Sequence, residues 1–319
     1  MIIFEKLCQN IRKTKLPEDM MDIKDKIRKL KKERNAVILS HYYQHIEVQE
    51  IADFIGDSFE LAKKAKEAKE DVIVFCGVYF MAEGAKILNP TKTVLLPVKE
   101  AGCPMADMVT AEDVMELRKK YPDAAVVTYV NSTAEVKAVS DICCTSSSAV
   151  RIVNSIPNKR IIFVPDENLG RYIAKQVPDK EIIPYSGYCQ VHQRVTVQDV
   201  EAVRKAMPDA LLLVHPECVP EVVEKADFVG STTQIINKAL ESKNKDIIIG
   251  TEVGVVDFLK KKTSDKNFYL LSPKMICANM KKTSLKDVLN SLENNVHEIE
   301  IEQEIMDKAF SSLDRMMNV

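Results

Sequence analysis

The sequence lacks several features that mark whole classes of protein. No apolar run approaches the roughly 20 residues needed to span a bilayer, which excludes a transmembrane protein. The first residues combine a short apolar start with charges and contain no small-residue cleavage site, so we expect no secretory signal. Basic and acidic residues nearly balance, at 45 and 47, without the positive excess typical of nucleic-acid-binding proteins. We therefore expect a cytoplasmic protein that binds neither membranes nor nucleic acids.

Closely spaced cysteine pairs are lacking as well. The chain has 8 cysteines among 319 residues, but it contains no Cys-x-x-Cys pair, which excludes a local zinc-ribbon or ferredoxin pattern. In a reducing compartment we expect these cysteines to be free thiols or metal ligands rather than disulfides. The content of 46% hydrophobic and 29% charged residues is that of a folded globular protein.

What the sequence does contain is a threefold internal repeat. Three segments share an apolar run of strand length, a polar stretch, a helical pattern, a second short apolar run and a Ser or Thr before another helix. They align on His41, Tyr129 and His215, which are 88 and 86 residues apart. Agreement at several positions in three copies indicates internal duplication. The positions 2, 6, 12 and 17 residues later hold Tyr43, Asn131 and Glu217; Glu47, Glu135 and Glu221; Asp53, Asp141 and Asp227; and Ser58, Ser146 and Thr232.

Alternating strand and helix patterns predict the fold of each repeat. Such alternation is typical of an α/β unit with a parallel sheet and helices on its faces. We predict three pseudo-symmetric repeats around a central cavity, at residues 36–122, 123–208 and 209–296. A helical extension at residues 1–35 precedes them, and a C-terminal helix at residues 297–319 follows. Ligands bind at the carboxyl ends of parallel strands, where the three aligned residues fall, so the cavity is the predicted site.

Each repeat contributes one cysteine at nearly the same place. Cys103, Cys189 and Cys277 follow the last predicted strand of their repeats, 62, 60 and 62 residues after the aligned residues. Three thiolates favour zinc or an iron–sulfur cluster, and a cubane held by three cysteines keeps one iron open as a Lewis acid. The alternative is that they are buried packing residues. The cysteines without counterparts are interpreted as packing residues: Cys8, Cys76, Cys143, Cys144 and Cys218.

Polar residues are expected to complete the site. The Ser or Thr at the last aligned position precedes a helical pattern and is expected as an N-cap, where anions also bind. The repeated glutamates fall early in helices and are expected to be structural. His192 forms a Cys-x-x-His spacing with Cys189 that could ligate zinc, although we favour a cavity-lining role. The expected donors, acceptors and proton carriers in the cavity are His41, Tyr43, Tyr129, Asn131, His215 and Glu217.

These patterns leave three functions open. The first is an enzyme with an iron–sulfur cluster, and the second is a zinc hydrolase that uses the three cysteines with or without His192. The third is a repeat scaffold that has buried thiols and binds a small anion. Iron, sulfide and zinc contents distinguish the three.

Seven short motifs together resemble those of the quinolinate synthase family. The resemblance runs from about residue 20 to the C-terminus. It implies three pseudo-symmetric α/β domains around a [4Fe-4S] cluster held by three cysteines, which agrees with the repeat pattern. The motifs are SHYYQ around His41, GC at Cys103, TYVNS around Tyr129, GYCQVH around Cys189, VHPEC around His215, GSTTQI around Thr232 and MICANM around Cys277.

The resemblance also implies a reaction. The family makes quinolinate for NAD biosynthesis from iminosuccinate (iminoaspartate) and dihydroxyacetone phosphate, with loss of phosphate and water. The enamine carbon of iminosuccinate attacks the triose, phosphate leaves, the ring closes through nitrogen and water is lost. The enzyme that supplies the unstable iminosuccinate could be a partner.

By resemblance, the site residues receive roles. Cys103, Cys189 and Cys277 would hold the cluster, whose open iron would act as a Lewis acid. Tyr43 and Glu217 would transfer protons, while the two aligned histidines would polarise or anchor substrate oxygens. The substrate-binding residues would be His41, Ser58, Tyr129, Asn131, Ser146, His215, Glu217 and Thr232.

Overall fold

The computed structural model describes residues 18–319, with side chains from residue 22 onward. Three four-stranded parallel sheets form in this part of the chain. Each sheet places the second strand of its repeat at one edge, followed by the first, the third and the fourth. The predicted α/β fold of three parallel-sheet repeats is thus confirmed. Cys8, interpreted above as a packing residue, lies outside the described residues.

The first repeat shows why these segments become strands. Its first strand is buried at all six positions, because parallel strands covered by helices on both faces are apolar along nearly their whole length. Helix α1, Glu18–Glu33, precedes the sheet. The elements of the first repeat are β1 Ala36–His41, α2 Ile46–Gln49, β2 Phe54–Gly56, α3 Ser58–Glu67, β3 Val72–Cys76, α4 Tyr79–Leu88 and β4 Thr93–Leu95.

The second repeat follows after a short 3₁₀ helix, Ala106–Met108, and helix α5, Ala111–Lys120. Its sheet has the order β6-β5-β7-β8. The elements are β5 Ala125–Tyr129, α6 Ala134–Ala138, β6 Ile142–Cys144, α7 Ala149–Ser155, β7 Arg160–Val164, α8 Glu167–Gln176 and β8 Glu181–Pro184.

The third repeat follows helix α9, Val197–Ala206, and has the strand order β10-β9-β11-β12. Two further helices, α13 Leu285–Asn294 and α14 Gln303–Asn318, complete the described chain. The elements of the third repeat are β9 Leu211–Val214, α10 Pro220–Val223, β10 Phe228–Val229, α11 Thr232–Glu241, β11 Asp246–Gly250, α12 Val253–Lys262 and β12 Asn267–Leu270.

The recurring aspartate has a structural explanation. In each repeat its carboxylate accepts the backbone N–H of a residue near the start of the first strand, at 2.7 to 2.9 Å. Its own N–H donates to the carbonyl of that same residue. The side chain therefore ties the short second strand to the first in the same way three times. The pairs are Asp53 with Ile38, Asp141 with Val126, and Asp227 with Leu212.

The terminal helices pack against the first two repeats. Helix α1 and helix α13 bury Ile27, Val288 and Leu292 against the first sheet. Helix α14 buries Leu313 and Met316 in the core that the first two repeats share. Residues 297–299 run antiparallel along the free edge of strand β4, joined to Val94 and Leu96 by two backbone hydrogen bonds of 2.9 and 3.1 Å. None of the helices in the described part combines the length and apolar character needed to cross a bilayer.

The N-cap prediction is wrong in detail. The residue that caps α3 is Asp57, and the one that caps α11 is Ser231, so that Ser58 and Thr232 are the first helical residues. In the second repeat the helix starts later, and Ser146 lies in the turn before Ser148 and α7. Periodicity locates a helix start only to within a residue or so, because the cap depends on which side chain reaches the free N–H groups.

Candidate active site

The carboxyl ends of the three sheets face one cavity of about 290 Å³. The residues around it come from all three repeats, and they include every residue that the sequence assigned to the site. The structure thus brings together a set that is widely separated along the chain. The predicted residues that line the cavity are His41, Tyr43, Ser58, Cys103, Tyr129, Asn131, Ser146, Cys189, His215, Glu217, Thr232 and Cys277.

The aligned residues lie where the repeat pattern placed them. His41 ends strand β1, Tyr129 ends β5, and His215 directly follows β9. A strand that ends at the cavity must turn away, so its last side chain and the next few project into the open space. The duplicated strands therefore deliver chemically different side chains to equivalent places.

Both histidines at strand ends are held in one tautomer. The Nδ1 atom of His41 accepts the backbone N–H of Tyr43 at 3.1 Å, and that of His215 accepts the backbone N–H of Glu217 at 3.4 Å. Burial lowers the pKa of His41 to about 3 and that of His215 to about 4. Both rings are therefore neutral at pH 7 and carry their proton on Nε2, as hydrogen-bond donors without charge.

A continuous chain of hydrogen bonds crosses the cavity wall. The Tyr43 hydroxyl lies 2.9 Å from Thr232 Oγ1 and 2.7 Å from Thr251 Oγ1. Thr251 Oγ1 lies 3.0 Å from His192 Nε2, and His192 Nδ1 lies 2.7 Å from Glu217 Oε2. The hydroxyl of Tyr129 donates to Glu217 Oε1 at 2.7 Å and completes the chain. Groups from all three repeats thus share one network along which protons can move.

Glu217 is the charged member of this network. Burial by itself would raise its pKa, but His215, His192 and the Tyr129 hydroxyl hold the pKa below its usual range. The carboxylate is only 3% exposed, so it is ionised, buried and hydrogen-bonded at neutral pH. Burial and the charge of Glu217 raise the pKa of Tyr43 and Tyr129 well above 10. Both phenols are therefore protonated at neutral pH, Tyr129 with the Glu217 carboxylate as its acceptor and Tyr43 with the hydroxyls of Thr232 and Thr251 as its partners.

The three cysteines are partly buried free thiols on equivalent loops. Burial raises the pKa of Cys103 to about 12 and raises that of Cys277. Burial, Glu217 and the other two cysteines raise the pKa of Cys189 well above its usual value. Charge on a neighbouring cysteine thus opposes ionisation of Cys103 and Cys189, and a cation held among the three sulfurs would favour the thiolate forms.

One smaller group has the spacing for a single ion. Among the described residues, the cluster whose ligand atoms all lie within 4.8 Å of one another is Cys189, His192 and Glu217. It contains the Cys-x-x-His pair noted in the sequence, with His192 Nδ1 3.2 Å from Cys189 Sγ. His192 Nδ1 also contacts Glu217, and His192 Nε2 contacts Thr251. The ring therefore lies within the hydrogen-bond network of the cavity wall.

Comparison with known proteins decides the family. A family model described as quinolinate synthetase A protein matches residues 25–318. The quinolinate synthase of Caldicellulosiruptor bescii is 58% identical over 297 residues, which cover 93% of this chain and 98% of that protein. Quinolinate synthase 2 of Methanosarcina acetivorans is 52% identical over 297 residues, covering 93% and 96%. The chain belongs to the quinolinate synthase family. It is accordingly an enzyme of NAD biosynthesis.

A solved structure also matches most of this quinolinate synthase. It is the E-1-hydroxy-2-methyl-but-2-enyl-4-diphosphate reductase of Plasmodium falciparum, 17% identical, covering 95% of this chain and 88% of that one. The TM-score is 0.28, which is too low to support a conclusion about fold or function.

Quinolinate synthases are iron–sulfur enzymes, and the donor set here fits such a group. The three thiols come from three loops of equivalent position and line one cavity. Thiolates are the usual ligands of iron–sulfur clusters, and a cationic centre would remove the opposition to ionisation described above. The remaining described cysteines are fully buried in the cores of the repeats: Cys76, Cys143, Cys144 and Cys218.

Sequence reasoning missed several residues of this quinolinate synthase that surround the site. Thr251 links Tyr43 to His192, and Arg194 and Asn279 line the cavity. No repeat pattern marks these three residues. In contrast, Asp166 and Glu252 each stand 37 residues after an aligned residue, so a longer alignment of the repeats could have found them.

Proposed function

We propose that this quinolinate synthase condenses iminosuccinate (iminoaspartate) with dihydroxyacetone phosphate to form quinolinate, with release of phosphate and water. The observation that carries the proposal is the convergence of twelve predicted residues from three repeats on one cavity. The reaction joins a dicarboxylate to a phosphorylated triose and then removes water. It therefore needs anion-binding groups, proton carriers and a Lewis acid within one enclosed space.

Cys103, Cys189 and Cys277 would hold a [4Fe-4S] cluster with one iron lacking a protein ligand. When bound, such a cluster supplies a Lewis acid that polarises a substrate oxygen and favours loss of a hydroxyl group. The support for this ligand set is the equivalent position of the three loops and the effect of neighbouring cysteines on the pKa of Cys103 and Cys189.

Both substrates are anions, and the cavity offers places for them. Ser58 and Thr232 are the first residues of α3 and α11, so these helix N-termini would attract carboxylates and phosphate. Ser146 and the basic residue Arg194 also line the cavity. Within the described residues, Asn131 Oδ1 is buried without a hydrogen-bond partner. Such an atom would gain a partner when a substrate N–H or O–H enters the site.

The hydrogen-bond network suits the proton transfers of the reaction. Glu217 is ionised and would take up the proton released when the enamine carbon of iminosuccinate forms its new bond. Tyr43 keeps its phenolic proton and would donate it to a leaving oxygen, with Thr251 and His192 connecting it to Glu217. The neutral rings of His41 and His215 would donate from Nε2 and orient substrate oxygens without adding charge.

One experiment tests the proposal. The protein is purified without oxygen, its iron, sulfide and zinc are measured, and quinolinate formation is followed with dihydroxyacetone phosphate and iminosuccinate generated in the assay. We expect about four irons and four sulfides per chain, as the cubane requires, and quinolinate formation that depends on both substrates. Stoichiometric zinc without sulfide, or no quinolinate from a cluster-containing preparation, would contradict the proposal.

A further inference from the structure

Two buried carboxylates lie behind the cysteine loops. Asp166 and Glu252 are both fully buried, and each stands 37 residues after the aligned residue of its repeat. Each is the N-cap of the helix that follows the third strand, α8 in the second repeat and α12 in the third. They therefore occupy equivalent positions in the two repeats.

Each carboxylate divides its oxygens between a helix and a cysteine. Asp166 Oδ1 accepts the N–H of Leu169 at 2.7 Å, while Oδ2 accepts the backbone N–H of Cys189 at 3.1 Å. Glu252 Oε2 accepts the N–H of Gly254 at 2.7 Å, and Oε1 accepts the backbone N–H of Cys277 at 3.2 Å. The same pair of contacts thus occurs twice, with side chains of different length.

The first repeat lacks this arrangement. Its equivalent residue is Val78, a side chain without an acceptor atom. All three repeats nevertheless share a backbone hydrogen bond, from the first helical N–H to the carbonyl two residues before the cysteine, at 2.8 to 2.9 Å. A backbone hydrogen bond therefore connects the helix to the cysteine loop in each of the three repeats. A carboxylate adds a second hydrogen bond at Cys189 and Cys277.

Helix capping does not by itself require a carboxylate whose two oxygens have separate partners; the buried cap of α3, Asp57, accepts both of its helical N–H groups on one oxygen. Helices α5, α9 and α11 of this protein are capped by uncharged hydroxyls, those of Thr110, Thr196 and Ser231. Burying a carboxylate is costly unless several hydrogen bonds compensate. The bond to the cysteine N–H is the contact that a hydroxyl cap would not also provide, because a hydroxyl has one oxygen and a carboxylate has two.

Glu252 also joins the cysteine loop to the first repeat. Lys281 Nζ lies 3.2 Å from Glu252 Oε1 and donates to the carbonyl of Tyr43 at 2.6 Å. The position of the Cys277 loop is thus coupled to the segment that carries Tyr43. A change at Glu252 would be transmitted to both sides of the cavity.

We propose that Asp166 and Glu252 are positioning residues that fix the backbone of Cys189 and Cys277 for cluster binding. The inference rests on the proposed function, since it takes these cysteines as cluster ligands. Hydrogen-bond partners behind metal ligands orient the ligands and tune the metal centre, and their loss costs about 10- to 100-fold in metal affinity. In the first repeat, where Val78 takes the place of the carboxylate, the position of the Cys103 loop depends on the backbone hydrogen bond alone.

The test compares cluster loss in the holoenzyme and three variants. Asp166→Asn and Glu252→Gln replace one acceptor oxygen by an amide N–H donor with little change in shape. Thr110→Val removes an ordinary helix cap, whose hydroxyl bonds to Asp113 of the same helix. Iron release to a chelator is followed in the absence of oxygen, and thermal stability is measured on the same samples. We expect iron release about 10- to 100-fold faster in both carboxylate variants and a wild-type rate in Thr110→Val.

A second readout separates positioning from simple stability. Glu252 pairs with Lys281, so Glu252→Gln removes a negative charge near the cluster and should shift the reduction potential of the cluster to more positive values. Glu252→Asp keeps the carboxylate and should restore part of the wild-type behaviour. The two carboxylates are tested in separate variants, so if one variant fails to fold, the iron-release rate of the other still decides the question. If wild type holds the cluster and both carboxylate variants release iron at the Thr110→Val rate, the positioning role of Asp166 and Glu252 is overturned, while the proposed ligand set stands. Wild-type protein without iron and sulfide would overturn the proposed ligand set as well.

Discussion

Replacing Glu217 by Gln separates proton transfer from cluster assembly. The carboxylate accepts hydrogen bonds from Tyr129 and His192 at 2.7 Å each and is 3% exposed. Glutamine has the same shape, but its amide cannot take up a proton and offers a single acceptor oxygen. The change therefore removes the ionised base while the space around the cysteines stays filled.

The expected loss of activity follows from general acid–base catalysis. Removing a positioned base typically costs 10²–10⁴-fold, so we expect turnover to fall by about 100-fold or more. A 100-fold loss corresponds to about 2.7 kcal/mol of barrier at 1.36 kcal/mol per factor of ten. Because Glu217 is not one of the proposed ligands, iron and sulfide should stay at wild-type levels.

The assay measures quinolinate formation, iron and sulfide in samples purified without oxygen. Glu221→Gln is the matched control, since this glutamate lies four residues later, is exposed, and falls in the first turn of α10. The control should show wild-type turnover. Near-normal turnover of Glu217→Gln with an intact cluster would refute the reasoning and leave Glu217 as a structural hydrogen-bond acceptor.

Three further predictions concern the cluster and His41. Changing Cys103, Cys189 or Cys277 to Ala should abolish iron binding and activity, whereas Cys76→Ala should keep wild-type iron; iron analysis that reverses this pattern would reject the ligand set. Activity should fall in air and return with iron, sulfide and reductant, so full activity in long-aerated, iron-free protein would contradict the cluster. Burial lowers the pKa of His41 to about 3, so the unfolded chain takes up its proton first, near pH 6.5, and stability falls as pH drops below that value. At pH 5 the free energy of unfolding is lower by on the order of 2 kcal/mol for this reason. The variant His41→Asn should therefore lose less thermal stability than wild type between pH 7 and pH 5. Equal losses would show that His41 does not contribute.

The sequence by itself predicted the parallel sheets and the residues that end their strands. Apolar runs and helical patterns are local signals, and duplication makes equal offsets correspond to equal places in space. His41, Tyr129 and His215 could therefore be placed at one end of the fold. The same reasoning selected Cys103 and Cys277, which line the same cavity.

Tertiary structure decided which groups contact one another. The Cys-x-x-His spacing could not show that Glu217, from another repeat, lies 2.7 Å from His192. The path from Tyr43 through Thr251 likewise depends on how the first and third repeats pack together. Hydrogen bonds need an accuracy of a few tenths of an ångström, whereas sequence periodicity fixes only the element and the face on which a residue lies. The repeats thus set the composition of the cavity, and their packing set its hydrogen-bond network.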